Sequence, residues 1–572
     1  MKNRIIYLAT VLTIFAIIVL LFASESTSIY KQLKLMNRVV TTIYSDYVDP
    51  VDYRKLIKGA IDGMTSTLDP HTVFYTPKQY EELKVDTRGK FGGLGIQIGI
   101  RNEWLTVIAP IEGTPAYRAG IQAGDKIIKI EGKSTKGITT EEAVTKLRGE
   151  PGTKVTITIS REGEPKPFDV TITRDIIEIK PVPYYGLTKD KVGYIRLSQF
   201  SEEAGNAVRE ALIELQQQGA KGIILDLRNN PGGLLSQAVE VASYFLGTDA
   251  LVVYTKGRSP YQSREFYTEH PGEYPTGPLV VLVDGGSASA SEIVAGAIQD
   301  HDRGLVMGKP TYGKGLVQSV KPMLDGTALK ITTAKYFIPS GRCIQKEEYL
   351  TERNSAIVVD TTDWDPEQLD PWEFETAPAD TDTTEKEKPV FYTKGGRKVY
   401  GGGGINPDIE IEPRKLKKLE FDLLRKAMFF NFAVHYLADH KNEIKSPDFE
   451  VSDEILTEFN KYLQENEFEY HSRIELLVQQ IDSIIVEDTL TQVTMEALEN
   501  FKQRLQVENK LDFQRSEDYI KRQIKRQLIQ AIWGEHERYR QVDVETDEVI
   551  QRAEEVILHP DKYESYLQVE DE

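Results

Sequence analysis

The 572-residue chain is predicted to be a multidomain α/β protein: a small β-rich module, then an α/β layer, then a helix-rich extension. Three textures carry that expectation. Between residues 88 and 178, "WLTVIAP", "KIIKIEG" and "KVTITISREG" alternate with period two between glycine-rich turns, as half-buried strands do. From Val192 onward, short apolar runs ("VGYIRL", "GIILDL", "PLVVLVD", "GLVMG") are followed by helical stretches, the pattern of buried strands in an α/β layer. Beyond Pro413 the chain is charged and helical in pattern, with no strand alternation.

In chain order, Lys2 and Arg4 precede an uncharged apolar run over residues 5–22, so residues 1–24 are expected to be a signal anchor or a signal peptide. As a helix the run would reach about 27 Å, enough for a bilayer core. The basic flank favours a cytoplasmic start and an exported remainder. A retained anchor fits better than a cleaved signal, because the run is longer than the usual signal-peptide core and "LFASES" offers no clean small-x-small cleavage site. Residues 29–85 are expected to be helical, with a turn at "STLDPHTVFYTP" where Pro70 and Pro77 break the pattern. Within the β-rich module, "TEEAVTKL" is a short helix expected to open at Thr140. The α/β layer occupies residues 180–350 and finishes over 390–413. Residues 351–389 interrupt it with twelve acids against three bases and read as an acidic, mobile insertion. Residues 414–572 form the helical extension, a surface through which copies of the chain could associate.

The net charge of −19 argues against a nucleic-acid partner, which would need a basic face. A single cysteine, Cys343, excludes an intrachain disulfide and reads as a small buried or half-buried side chain. No Cys/His cluster has zinc spacing, so no metal is expected.

Three stretches carry chemistry. "VLVDGGSASASEIVAGAIQDH" sets Ser287, Ser289 and Ser291 on a strand-to-helix turn. Ser289 with Glu292 fits a capping box. A serine placed there would also sit beside free helix amides that can stabilise an oxyanion. In "GIILDLRNNPGGLLSQAVE", Pro231 is placed near a helix start, and Gly232 and Gly233 would let bare amides approach a substrate carbonyl. "GKPTYGKGLVQSV" nearly spells a phosphate loop over residues 308–315. Gly315 stands where a magnesium-binding Ser or Thr is required, and a strand-like run follows in place of a helix. Lys314, flanked by glycines, is either a solvated turn lysine or one that passes close to another backbone and loses water.

With "DLRNNPGG", "GSASASEIVAGAIQDH", "GKPTYGKGLVQSV" and "ALKITTAKYFIPSGR" in this order, the chain resembles the C-terminal processing proteases, serine peptidases with a Ser-Lys dyad. The likeness runs over most of residues 40–410. It implies a PDZ domain at 88–178 inserted ahead of a crotonase/ClpP-like α/β protease core. It further implies Ser289 as nucleophile, Lys314 as base and Gln318 as the residue orienting the lysine. Ala290 and a glycine of "NPGG", with Gly232 favoured, would supply the oxyanion hole, and Asp300 would be supportive. No cofactor is implied. The acidic insertion and the extension have no counterpart in the common core of the family.

The dyad is chemically reasonable. At its reference pKa a lysine is neutral in only about 1 part in 2,500 at pH 7, and desolvation raises that fraction. His301, just past the helix end, reads as a capping cation and not as the base. In "FGGLGI", Gly92, Gly93, Leu94, Gly95 and Ile96 match the PDZ loop whose amides hold a peptide's terminal carboxylate while the next strand takes the peptide as an added strand. The function expected is that of an exported endopeptidase, anchored in the inner membrane through residues 5–22 or periplasmic after cleavage, that takes protein substrates by their C-terminal tails. The alternatives are an inactive PDZ scaffold and a nucleotide-binding protein using residues 308–315.

Overall fold

The computed structural model describes residues 29–346, 388–440, 443–485 and 491–569. Residues 1–24 and nearly all of the 351–389 insertion lie outside the described residues. Among the described residues, no helix is long and apolar enough to cross a membrane. The chain divides into two units: Met1–Tyr80 with Gln318–Thr333, and Glu81–Val317 with Ala334–Glu572.

In the first unit, a helix over 29–46 is followed by Tyr53–Ser66, capped by Asp52, whose carboxylate accepts the Arg54 amide at 2.9 Å. The segment expected as a turn contains a strand, Val73–Tyr75, paired antiparallel with Ala328–Lys330. A β-branched and aromatic run becomes a strand when it finds a partner. This partner lies far downstream, where local punctuation gives no hint of it.

In the second unit, the β-rich module is a sheet ordered Ile96–Arg101, Trp104–Pro110, Lys126–Ile130, Lys154–Ser160 and Phe168–Thr173, all antiparallel. Its period-two apolar residues, including Leu105, Val107, Ile127, Val155 and Ile157, form one core. The short helix is Thr140–Leu147 as expected, but its cap is Thr139, whose hydroxyl accepts the Glu142 amide at 3.2 Å.

The α/β layer is a six-stranded sheet in the order Tyr184–Leu187, Gly193–Arg196, Ile223–Asp226, Leu279–Val283, Leu305–Gly308 and Ile409–Glu410. It is parallel apart from its first pair. Alternation divides each strand between two cores. Ile223, Leu225, Val281 and Val306 pack with helices Ala204–Gln217, Leu235–Leu246 and Ala290–Asp300. Ile224, Val280, Leu282, Leu305 and Met307 face the other way and are covered by the end of the chain itself. Helix Glu548–Leu558 supplies Val549, Ile550, Ala553, Val556 and Ile557, one face at helical period. Each Val or Ile so buried contributes about 1.5–3 kcal/mol. Tyr563 adds a hydroxyl that donates to the Leu279 carbonyl at 3.1 Å. The last part of the extension therefore braces the α/β layer. Its earlier helices, from Lys418–Arg425 to Glu517–Arg538, build a separate core around Phe429, Phe432, Phe459, Ile524 and Leu528.

Candidate active site

Two strand-to-helix turns meet at the carboxyl edge of the sheet, after Ile223–Asp226 and after Leu279–Val283. In the second turn the three serines have different environments. Ser287 and Ser291 are fully buried, and their hydroxyls donate to the Leu227 carbonyl (2.8 Å) and the Asn230 carbonyl (2.9 Å). Both are stitches to the neighbouring turn. Ser289 alone is partly exposed, and its backbone is held at φ +55°, ψ −110°. A non-glycine residue there stores strain, as functional positions at sharp strand-to-helix turns do.

The 227–233 turn is organised by Asn230, which is fully buried. Its side chain donates to the Leu197 carbonyl (2.9 Å) and its Oδ1 accepts the Gly232 amide (2.9 Å). Its own carbonyl accepts the Ala288 amide at 3.0 Å. Gly232 has φ +95°, and a Cβ there would lie 2.8 Å from the Ala290 nitrogen and 2.9 Å from Ser289 Cβ. Only glycine allows the two turns this close. The Gly232 amide, expected in the oxyanion hole, is thus already given to Asn230, while among the described residues the Gly233 amide has no recorded acceptor. Ala290 is the first residue of its helix, so its amide has no intrahelical acceptor. Pro231 falls in the turn and not at a helix start, since the helix begins at Leu235.

Lys314 comes from a third loop and is half-buried. Its glycine neighbours are required by packing: a Cβ on Gly313 would meet Lys346, and one on Gly315 would meet the Gln345 backbone. Two side chains hold this loop to the serine turn. Glu292 Oε2 accepts the amides of Ser289 (2.8 Å) and Lys314 (3.0 Å), while Oε1 accepts the Gly313 amide (2.7 Å) and the Thr311 hydroxyl (2.6 Å). The Tyr336 hydroxyl lies against the carbonyls of Ser289 (3.3 Å) and Lys314. Burial raises the Glu292 carboxyl above its usual range, and its four hydrogen bonds oppose that rise without cancelling it. Three of the partners are backbone amides, which only donate, while the Thr311 hydroxyl can donate or accept. Burial likewise pushes the Tyr336 phenol well up, so it remains a donor.

The remaining expected residues lie elsewhere. Asp300 closes the far end of the serine helix, about 16 Å from Ser289 at 1.5 Å per residue. There it pairs with the buried Arg342 guanidinium at 2.8 Å and accepts the Ser340 amide at 2.9 Å. His301 is the C-cap of that helix, and its Nε2 is 2.7 Å from the Leu251 carbonyl. Gln318 belongs to the first unit, where its Nε2 has no hydrogen-bond partner among the described residues. Cys343 is half-buried, as expected. In the β-rich module, Gly92 and Gly93 end the strand Lys90–Gly93, and Leu94 is buried. Gly95 has φ +78°, and a Cβ there would strike Thr114 at 2.2 Å. Ile96 starts the edge strand of the sheet, which has a strand neighbour on one side only and the helix Thr140–Leu147 beside it.

Glu292 was legible only as a capping residue, and its bonds to residues 311–314 have no sequence signature. Nothing in the sequence pointed to Tyr336 or Asn230. The phosphate-loop alternative fails here, because the Gly313 and Lys314 amides that would cradle a phosphate are held by Glu292.

A partly exposed, strained serine between bare amides, with a lysine loop fastened to it, defines the acyl-transfer class of site. The sequence matches peptidase family S41 over residues 191–352 and a PDZ domain over 106–161. It also matches the C-terminal helical domain of probable PDZ-proteases over 419–557 and the N-terminal domain of the activating protease CtpB over 21–78. The carboxy-terminal-processing protease of Bartonella bacilliformis is 43% identical over 320 residues, 55% of this chain and 73% of that protein. That of Synechocystis sp. is 43% identical over 303 residues, 52% of this chain and 70% of the relative. Among solved structures, the photosystem II D1 C-terminal processing protease is 32% identical, over 53% of this chain and 82% of its own, with a TM-score of 0.33. The chain belongs to the carboxy-terminal processing proteases, serine peptidases of family S41, with the PDZ domain ahead of the protease domain and a helical domain after it. The extension, which has no counterpart in the common core, matches a separate C-terminal helical domain of probable PDZ-proteases.

Proposed function

We propose that Ser289 and Lys314 are the catalytic dyad of an endopeptidase that takes exported proteins by their C-terminal tails. The observation that carries this reading is the double fastening of Ser289 to Lys314 through Glu292 and Tyr336, which holds the two segments in register. In the reaction, the neutral Lys314 amine takes the Ser289 hydroxyl proton as the oxygen attacks the scissile carbonyl. The amides of Ala290 and of the 232–233 glycines receive the oxyanion. Where the Gly232 amide stays on Asn230, Gly233 supplies the second donor. Lys314 then gives its proton to the leaving amine. A water, deprotonated by the same lysine, attacks the acyl-serine ester and restores the hydroxyl.

Gln318 is carried as the residue that orients the lysine, and Asp300 supports the helix from its far end through Arg342. The 92–96 loop and the open edge at Ile96–Arg101 are the feature suited to a tail, which would add as a strand with its carboxylate on the loop amides. The exported location, through an anchor at residues 5–22 or by signal cleavage, is tested by fractionating cells that express the full chain.

The decisive experiment incubates purified protein with an unstructured substrate ending in a free apolar residue. Cleavage is expected, and its loss in both Ser289→Ala and Lys314→Ala with thermal unfolding unchanged. Cleavage that survives Lys314→Ala removes the lysine from the dyad.

A further inference from the structure

A cavity of about 480 Å³ separates the carboxyl edge of the parallel sheet from the helical extension, and neither Ser289 nor Lys314 lines it. The two strand-to-helix turns contribute Arg228, Asn229 and Asp284 to its wall, the sheet contributes Arg196, and Lys309 follows the strand Leu305–Gly308. Arg414, Arg522 and Arg526 come from the extension. Six cations therefore line one open cleft in a protein of net charge −19, Lys309 at its exposed rim.

Four of them have carboxylate partners. Arg196 and Arg228 share Asp226 (3.2 and 2.6 Å), and Arg228 also reaches Asp547 (2.9 Å). Arg526 pairs with Asp543 at 2.8 Å and Arg414 with Glu420 at 3.0 Å. Arg522 and Lys309 have no carboxylate partner among the described residues. The one hydrogen bond recorded for the Arg522 guanidinium, to the Thr546 carbonyl, is long at 3.5 Å. It stands 5.3 Å from the Tyr519 ring centre, and the Arg414 guanidinium is 5.4 Å from the same ring. Arg414 is compensated by Glu420, which leaves Arg522 as the guanidinium on this ring without a carboxylate of its own among the described residues. The wall's other carboxylates do not fill that role: Asp284 accepts the amides of Asn229 (2.8 Å) and Gly286 (2.9 Å), and Glu548 is exposed.

We propose that this cavity binds a small polyanion of the phosphate class, of pyrophosphate size or larger, held chiefly by Arg522 and Lys309. Guanidinium forks match phosphate oxygens in pairs, and an ammonium adds a point charge. The volume lies in the range of small-molecule sites, roughly 300–1,000 Å³, and exceeds what a lone phosphate would fill. The position, outside the carboxyl ends of parallel strands, is where open α/β sheets hold ligands. The Gly308-Lys309 pair of the sequence's near phosphate loop opens onto this space, although the rest of that loop is committed to Glu292. Because Arg228 ties the 227–233 turn to Asp547, an occupant would touch the segment that carries the bare glycine amides.

The test uses the full chain carrying Ser289→Ala, so binding is read without any dependence on the peptidase reading. Sodium pyrophosphate is titrated by calorimetry in low-salt buffer, with sodium chloride of equal ionic strength as the blank and AMP in a parallel arm. One saturable site per chain is expected, with a Kd of about 0.1 mM or tighter, and a rise in Tm on saturation. Arg522→Gln is expected to weaken binding about tenfold, Lys309→Gln to weaken it less, and Lys133→Gln on the distant β-rich module to change nothing. Far-UV circular dichroism checks that the variants are folded. Saturable binding of either anion that depends on Arg522 supports the site. Binding that is unchanged in both cavity variants, or absent for both anions up to about 10 mM, overturns it.

Discussion

Replacing Glu292 by glutamine changes one oxygen for one nitrogen at the junction of the serine turn and the lysine loop, which makes its cost calculable. The carboxylate accepts four hydrogen bonds, from the Ser289, Gly313 and Lys314 amides and the Thr311 hydroxyl. An amide side chain offers one accepting oxygen and a donating NH2. With its oxygen on the Ser289 and Lys314 amides, the NH2 faces Thr311, whose hydroxyl can turn to accept, and the Gly313 amide, which cannot. The opposite orientation leaves two amides unmatched, so the first is preferred. One buried unmatched amide costs about 1–3 kcal/mol. The bonds that survive lose their charge assistance and about half their strength, while removal of a buried charge offsets part of that loss. The expected destabilisation is about 2–4 kcal/mol, with a displaced Lys314 loop. A displacement of about 1 Å at reacting groups lowers turnover on the order of a hundredfold. Chemical denaturation and cleavage of one peptide by the same preparation measure both effects. If Glu292→Gln unfolds at the wild-type denaturant midpoint and cleaves at the wild-type rate, Glu292 does not hold the two loops in register.

Other outcomes follow from the same contacts. His301→Ala is expected to retain measurable cleavage, and the wild-type rate to fall as pH drops, since protonated Lys314 cannot accept the serine proton; an inert His301→Ala or a flat profile on acidification refutes the base assignment. Burial alone would raise the Asp226 carboxyl, but Arg228 and Arg196 outweigh it and hold it at about 2. The unfolded value is higher, so this contribution, about 2 kcal/mol, is complete above pH 4 and is lost as pH falls from there towards 2. Asp226→Asn should flatten that part of the stability profile, and an unchanged acid limb in the variant would contradict the pairing. If the 92–96 loop holds a terminal carboxylate as proposed, amidating a substrate's C-terminus costs it a charge-assisted partner, about 1.5–3 kcal/mol, or about ten- to hundredfold in tail binding. Equal cleavage of free and amidated peptides at low concentration would mean that the loop does not read tails.

How much of this was legible depended on distance along the chain. The strands at 223–226, 279–283 and 305–308 announce themselves because each is a short apolar run, ended by Asp226 in the first and Gly308 in the last, and buried by both cores at once. Ser289 stood out from its turn, but its distinction from Ser287 and Ser291 did not. Their hydroxyls are spent on carbonyls of another strand-to-helix turn, which no local pattern encodes. Helix 548–558 shows its apolar face in its period, yet the sequence does not say that the face belongs to the protease sheet. Val73–Tyr75 was missed for the same reason: its pairing partner is supplied by residues 328–330. The Gly232 amide was misplaced for a nearer reason, a side-chain bond within its own turn: the buried Asn230 carboxamide accepts it.

The backbone of Ser289 gives these contacts a common cause. A serine at φ +55° costs about 1–3 kcal/mol, and it persists only if its surroundings over-determine it. They do so from both sides. Ala288 and Ser291 are bonded to the Asn230 carbonyl, Ser287 to Leu227, and the Ser289 amide to Glu292. Every one of those bonds leads to the glycine turn or to the lysine loop. The strain that exposes the hydroxyl is therefore balanced by the segments that carry the proposed oxyanion donors and the proposed base. A histidine at position 301 could not share in this arrangement, because it rides on the serine's own helix and projects from the opposite end. A lysine on a separate loop can share in it, provided something fixes that loop against the turn. Glu292 does so from within the serine helix and Tyr336 from outside it. Lys314, the proposed base, is thereby coupled to Ser289, the proposed nucleophile, through the backbone, independently of any bond between their side chains.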